Sequence, residues 1–236
     1  FKYFKKKIKF VNINKGGFMK KYLKASLLIL CALLLVACGK KEETKKEEGE
    51  TKVTDEITEG TIEGYHFKET EEVTDRVKIQ MENGDIILIV LSNDKTPVTK
   101  ANFQKLVKEK FYDGLIFHRV IDNFMIQTGD PTGTGYHGSD ETIKGEFSAN
   151  GVKNDLKHTR GVVSMARAND PNSASSQFFI CTVDYPSLDG NYASFGKVFA
   201  GMDAVDKIGK TATDSNDRPI TEQKMKSIRF IEIIKD

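Results

Sequence analysis

Phe117-His118-Arg119-Val120-Ile121-Asp122-Asn123-Phe124-Met125-Ile126-Gln127-Thr128-Gly129-Asp130 is the stretch on which the reading of this chain turns. A second stretch belongs with it: Ser164-Met165-Ala166-Arg167-Ala168, continuing to Ser176-Gln177-Phe178-Phe179-Ile180. Both are unusually dense in aromatic, Met, Gln and Arg side chains that look exposed rather than buried. They sit inside a region of short apolar runs separated by Gly- and Asp-rich turns, and the fold has to be read outward from there.

Upstream, Val77 to Met81 and Ile86 to Leu91 flank Asn83-Gly84, and Asn-Gly between two apolar runs is a strong hairpin signal. Thr96-Pro97 then predicts a helix start, Thr as N-cap and Pro in the first turn. Val98, Phe103, Leu106 and Val107 recur along it at roughly helical spacing. Downstream, a short helix is expected near Asp203 to Ile208, and a closing strand carries Ile228, Phe230 and Ile233. Many short strands with only two helices predict a closed β-barrel plugged by helices.

Several chemistries find no anchor. Gly133-Thr134-Gly135-Tyr136-His137-Gly138 fits G-x-G-x-x-G, but polar residues and another turn follow it, where a dinucleotide site needs a helix. His66, His118, His137 and His158 share no metal-ligand spacing. Neither H-E-x-x-H nor G-x-S-x-G occurs, and the Ser173 to Ser176 run lacks a nucleophile elbow. No metal and no cofactor are expected. Cys181 lies in an apolar run and reads as a buried structural thiol.

The two opening stretches resemble the cyclophilin signatures F-H-R-x-x-x-x-F-M-x-Q-x-G-D and S-M-A-x-A with S-Q-F-F-I. Leu188-Asp189-Gly190 and Phe195-Gly196-Lys197-Val198 match the segments that follow, and the resemblance runs in order across residues 74–236. It implies a mainly β fold, a closed eight-stranded antiparallel barrel capped by two helices. It also implies peptidyl-prolyl cis-trans isomerase activity. By the same resemblance Arg119 is the catalytic cation. Phe124, Met125, Phe179 and Leu188 form the proline pocket, Gln127 orients the Arg, and Gln177 lines the groove. Ala166 and Arg167 form the edge along which substrate backbone lies, and Phe178 goes to the barrel core. Three positions depart from the usual family pattern. Ser187 stands where many members carry Trp, Tyr192 where many carry His, and Arg167 where Asn is common. They put inhibitor binding and substrate preference in doubt, not the activity.

The remainder of the chain reads as delivery. From Met19, Lys20, Lys21 and Lys24 precede the apolar run Ala25 to Ala37. That run has the length of a signal h-region and is shorter than a membrane span. Leu35-Val36-Ala37-Cys38 resembles a bacterial lipobox, which implies a lipid on Cys38. Lys15-Gly16-Gly17 just before Met19 reads as a translated ribosome-binding sequence, so residues 1–18 are expected to be upstream sequence and 19–37 the signal peptide. Residues 38–73 are expected to be the lipidated Cys and a flexible charged linker, its coil spanning on the order of 30 Å. Residues 74–236 form the isomerase domain. Residues 1–37 hold nine Lys and no acidic residue; without them 27 basic residues face 34 acidic ones. A chain of that sign is a poor partner for nucleic acid. The whole reads as a monomeric isomerase on the outer face of the cytoplasmic membrane. Its expected clients are X-Pro bonds in exported, partly unfolded proteins. The runner-up is a proline-binding module or holdase chaperone with incidental isomerase activity.

Overall fold

Asn83-Gly84 turns the chain between β3 (Arg76–Met81) and β4 (Ile86–Leu91). Gly84 takes a φ of 89°, which a residue without Cβ adopts freely. Asn83 fixes the turn by accepting the Asp85 N–H at 3.0 Å. This computed structural model describes residues 55–91 and 94–234. The other strands are β1 (Glu59–Ile62), β2 (Tyr65–Glu69), β5 (Arg119–Ile121), β6 (Met125–Thr128), β7 (Val162–Met165), β8 (Phe178–Cys181), β9 (Ser194–Ala200) and β10 (Met225–Ile234). The helices are α1 (Pro97–Lys108) and α2 (Met202–Gly209).

The fold is mainly β with two helices, but the closed eight-stranded barrel needs correcting. One antiparallel sheet contains ten strands in the order β1-β2-β10-β3-β4-β9-β7-β8-β6-β5, and its end strands do not pair. On the β5 side the ladder ends because the chain ahead of β5 meets the chain ahead of β10 over very few residues. The contact is one bridge, Ile116 to Lys224, flanked by hydrogen bonds from Phe117 N to Gln223 O (2.9 Å) and from Met225 N to Leu115 O (2.8 Å).

The two additional strands come from the segment expected to be linker as far as residue 73. Residues 38–54 lie outside the described residues. Residues 59–69, however, form the β1–β2 hairpin, and β2 pairs with the end of β10. Composition hid it because most of the hairpin's charges stay at the surface, while Phe67 alone is fully buried in it. Its charge also serves a purpose underneath. Lys78 of β3 is completely buried, and its ammonium meets Glu69 Oε1 at 2.5 Å, the Ile57 carbonyl at 2.5 Å and Gln80 Oε1 at 3.2 Å. Gln80 in turn accepts from Ile57 N (2.8 Å) and donates to the Asp55 carbonyl (2.7 Å). The segment 55–69 is therefore latched onto the sheet by hydrogen bonds to two buried polar side chains, Lys78 and Gln80.

The α1 start falls at Thr96-Pro97, but the Thr96 side chain makes no capping bond. Glu146 does that work from far along the chain: Oε1 accepts Val98 N at 3.0 Å, and Oε2 accepts Thr99 N and Thr99 Oγ1, each at 2.7 Å. A carboxylate at a helix N-terminus satisfies orphan donors and favours the dipole. Val98, read as part of the apolar face, is exposed; Thr99 takes its place beside Phe103, Leu106 and Val107. Phe103 then meets Phe178 edge-on at 5.4 Å and Phe195 at 5.2 Å, while Tyr112 meets Phe178 at 5.5 Å. This aromatic cluster lies under β8.

Glu69→Ala should be costly, because it strips the closest carboxylate from a buried ammonium. Breaking such a pair costs about 3 kcal/mol or more. Lys78→Met in the same chain should recover most of the loss. Urea denaturation measures both; a Glu69→Ala midpoint equal to wild type would show that the hairpin is held by its backbone alone.

Candidate active site

The register of four strands builds the site. Arg119 of β5 faces Gln127 of β6, Gln127 faces Phe179 of β8, and Phe179 faces Ser164 of β7. Directly opposed residues share a face of a sheet, and successive residues alternate faces. The neighbouring row, Val120, Ile126, Ile180 and Val163, accordingly points the other way into the main core. Phe178 goes to that core, whereas Phe179 packs with Met125 and Cys181 on the site side. Phe124, Ala166, Leu188 and Tyr192 rest against them.

Arg119, Phe124, Met125, Gln127, Ala166, Arg167, Phe179, Leu188 and Tyr192 together line a depression of about 310 Å³. Among the residues expected there, Gln177 is outside it. Gln177 lines the adjoining depression with Ala166 and Arg167 and reaches the first through a hydrogen bond from Gln127 Nε2 to Gln177 Oε1 (2.8 Å). Gln127 Oε1 accepts from Arg119 Nη1 at 3.4 Å, so Arg119, Gln127 and Gln177 form a chain. Its far end is anchored: Gln177 Nε2 donates to the carbonyls of Gly135 (3.0 Å) and His137 (2.7 Å). The Arg167 guanidinium is engaged with the protein itself. It donates to the Asn191 carbonyl at 3.0 and 3.2 Å and lies over the Tyr192 ring at 4.7 Å. Cys38 lies outside the described residues.

The floor is buried. Met125 is 1% exposed and Phe179 5%. Cys181 beneath them is fully buried, and burial together with Asp184 and Asp189 pushes its thiol up to about 12, so it stays protonated. Behind Phe179 lies an arrangement that no motif announced. His158 Nδ1 and Asp189 Oδ1 are 3.0 Å apart, His158 Nε2 and Ser164 Oγ are 3.0 Å apart, and the imidazole stacks on Phe179 at 6.2 Å. These are the residue types of a hydrolytic triad. Yet Ser164 is 0% exposed and His158 1%, so substrate cannot reach them. Burial lowers the His158 pKa despite Asp189, which keeps the ring neutral near pH 7. The array braces Phe179 and fixes Asp189, the residue after Leu188. Near the rim Ser187 is exposed, and the Tyr185 ring centroid lies 4.2 Å from that of Phe124.

Asp130 organises the loop that anchors Gln177. Its Oδ2 accepts from Gly135 N (2.6 Å) and Thr134 N (3.1 Å), and its Oδ1 from Thr132 N (2.7 Å). Burial opposes its charge, but the donors of Thr132, His137 and Gly135 prevail and hold the carboxyl at about 2. The G-x-G-x-x-G stretch is thus a loop wrapped on a carboxylate. Gly129, just before Asp130, has a φ of 93° and lies so close to Ser176 O and Gln177 Cα that a Cβ would collide with both. Among the described residues no cluster of His, Cys, Asp and Glu is arranged to hold a metal ion.

Residues 76–230 match the family of cyclophilin type peptidyl-prolyl cis-trans isomerases. A peptidyl-prolyl cis-trans isomerase of Schizosaccharomyces pombe is 47% identical over 150 residues, 63% of this chain and 94% of that protein. One of Arabidopsis thaliana is 43% identical over 138 residues, 58% of this chain and 82% of that protein. The Cryptosporidium parvum cyclophilin, crystallised in the presence of the dipeptide Ala-Pro, superposes with a TM-score of 0.61 at 33% identity. The match covers 68% of this chain and 99% of that one. The chain belongs to the cyclophilin family. Its activity is that of a peptidyl-prolyl cis-trans isomerase.

Asp130 gives the site region an acid sensitivity of known sign. Its folded pKa lies below the ordinary value near 3.9. The stability it contributes is complete above that value and is lost as pH falls toward 2. Denaturant midpoints measured between about pH 5 and 2 should therefore fall less steeply for Asp130→Asn than for wild type. Parallel curves would show that the carboxylate is not what holds the loop.

Proposed function

We propose that Arg119 is the group that accelerates rotation about the X-Pro bond, with the proline ring seated on Met125, Phe179, Phe124 and Leu188. The observation that carries this is the placement of a guanidinium, tied to Gln127, at the rim of a depression that Phe124, Met125, Phe179 and Leu188 also line. The X-Pro amide resists rotation by about 18–20 kcal/mol, because the nitrogen lone pair is delocalised into the carbonyl. In the twisted transition state that delocalisation is lost, and the prolyl nitrogen becomes a hydrogen-bond acceptor. A cation there stabilises the transition state more than the planar ground state, which is what lowers the barrier. No covalent intermediate and no proton transfer is needed. Ala166 and the Arg167 backbone border the same depression and would carry the substrate main chain past it. Tyr192 completes the wall, and Gln177 adjoins it through its bond with Gln127. The Ala-Pro dipeptide used with the Cryptosporidium relative is the smallest form of such a ligand, and X-Pro peptides are the substrate class proposed here.

The cellular setting rests on the leader. A basic n-region, an apolar run and Leu35-Val36-Ala37-Cys38 support export, cleavage before Cys38 and attachment by a lipid. The clients are then exported, incompletely folded chains at the outer face of the membrane. Two acyl chains suffice for stable anchoring where one does not.

Arg119→Ala should lower kcat/KM on X-Pro peptides by about 100-fold or more, the usual scale for removing one preorganised donor. Its thermal midpoint should stay near wild type, because Arg119 is 43% exposed. An unchanged rate would end the assignment. Cys38→Ser should abolish lipidation and leave the chain as precursor or release it to the medium, read by fractionation and mass spectrometry. Recovery of mature, processed mutant in the membrane fraction would overturn the lipobox reading.

A further inference from the structure

Arg119 is held along one edge by Gln127 and along the other by a residue outside every stretch that suggested the site. Arg119 Nε donates to Asp217 Oδ2 at 3.2 Å. We infer that Asp217 is a positioning residue for the isomerisation, acting through Arg119; the inference rests on the role proposed above for that guanidinium.

The pair is a poor device for stability. Its side chains are 43% and 42% exposed, and ion pairs so open to water contribute little. The backbone around Asp217 is nevertheless built with care. Asp217 adopts a left-handed φ of 62°, a region that non-Gly residues enter at a cost and that Asp and Asn tolerate best. Asp217 O accepts Val120 N at 2.8 Å, which ties the loop to the residue after Arg119 itself. Asp214 closes the turn from inside: Oδ1 accepts Asn216 N (2.8 Å) and Arg218 N (3.0 Å), and Asp214 O accepts Asp217 N (3.2 Å). Arg218 Nη1 reaches across to the Gly133 carbonyl at 2.5 Å. Both ends of the Arg119–Asp217 bond are thus fixed by main chain before the side chains meet.

The geometry has a consequence for the guanidinium. With Nε on Asp217 and Nη1 on Gln127, the planar fork cannot rotate about its stem without breaking one bond. Among the described residues no group takes Nη2, so that corner is left to a ligand. Losing the Asp217 side frees the fork to turn toward the 660 Å³ cleft that Arg119, Asp217, Arg218 and Tyr136 line beside the proline depression. A donor misplaced by an ångström is enough to lose much of a rate enhancement.

The test uses two substitutions that keep the loop. Asp217→Gly removes the carboxylate and suits the positive φ; Asp217→Asn suits it too and keeps an acceptor. Both are measured on X-Pro peptides, alone and combined with Arg119→Ala. Asp217→Gly should lower kcat by about tenfold or more with KM nearly unchanged and a thermal midpoint close to wild type. Asp217→Asn should keep most of the activity. In the Arg119→Ala background Asp217→Gly should cost nothing further, because the group it positions is gone. A loss of the same size in that background, or an effect confined to KM, would make Asp217 a contact with substrate in its own right and overturn the inference. Wild-type turnover in Asp217→Gly beside a crippled Arg119→Ala would overturn it while leaving the role of Arg119 intact. Wild-type turnover in Arg119→Ala would remove both.

Discussion

The pairing register of β5, β6, β8 and β7 is the constraint on which the rest of this molecule depends. It puts Arg119, Gln127, Phe179 and Ser164 in one row across the sheet and Val120, Ile126, Ile180 and Val163 in the next. A slip of one residue in any strand would send its member of the first row into the core and bring an aliphatic residue out. The register is held hard because the inner row is fully buried against the aromatic cluster of Phe103, Tyr112 and Phe178. Core packing and site geometry are therefore one fact seen from the two faces of a sheet.

Polar groups buried beside that row convert a correct register into a fixed surface. Asp130, 1% exposed, gathers the loop from Thr132 to His137 and so gives Gln177 its two carbonyl anchors. His158, braced by Asp189 and Ser164, stands behind Phe179 and stops its ring from sinking. Glu146 caps α1 and so secures Phe103 beneath β8. Each would be expensive to bury alone and is retained because its partners are complete. A site that forms no covalent bond depends on where a charge and a wall stand, so such groups matter here as much as the residues that line the depression.

The fold was legible wherever local chemistry decides the structure. Asn83-Gly84 forces its turn, Thr96-Pro97 marks the start of α1, and short apolar runs mark the core strands. The residues lining the depression were legible because the two signature stretches contain nearly all of them. What escaped depends on contacts distant in sequence. The β1–β2 hairpin lies in a segment whose charge resembles a linker; it is ordered by β10 and by Lys78, residues that a local window never includes. The closed barrel failed for a related reason, since only the sheet itself shows that its end strands do not pair and that the chain before β5 meets the chain before β10 at a single bridge. Glu146 carries no sign that it caps a helix 47 residues away, nor Asp217 that it reaches Arg119 across 98. His158, Ser164 and Asp189 were visible as residue types, but only depth shows that they brace the site and do not cut bonds.

The exposure of Arg119 in the free protein completes the physical account. A half-exposed guanidinium is screened by water, and its field at a nearby atom is weak. Met125 and Phe179 are already buried, so the open side of the depression is its rim. On the role proposed for Arg119, a peptide whose proline fills the depression would supply the missing cover itself and lower the local dielectric around that guanidinium. The stabilisation proposed for Arg119 would then be strong with the X-Pro bond in place and weak otherwise. Tyr185 packs on Phe124 at that rim, and the fork held at its Nε and Nη1 edges is the group proposed to act on the peptides that fit.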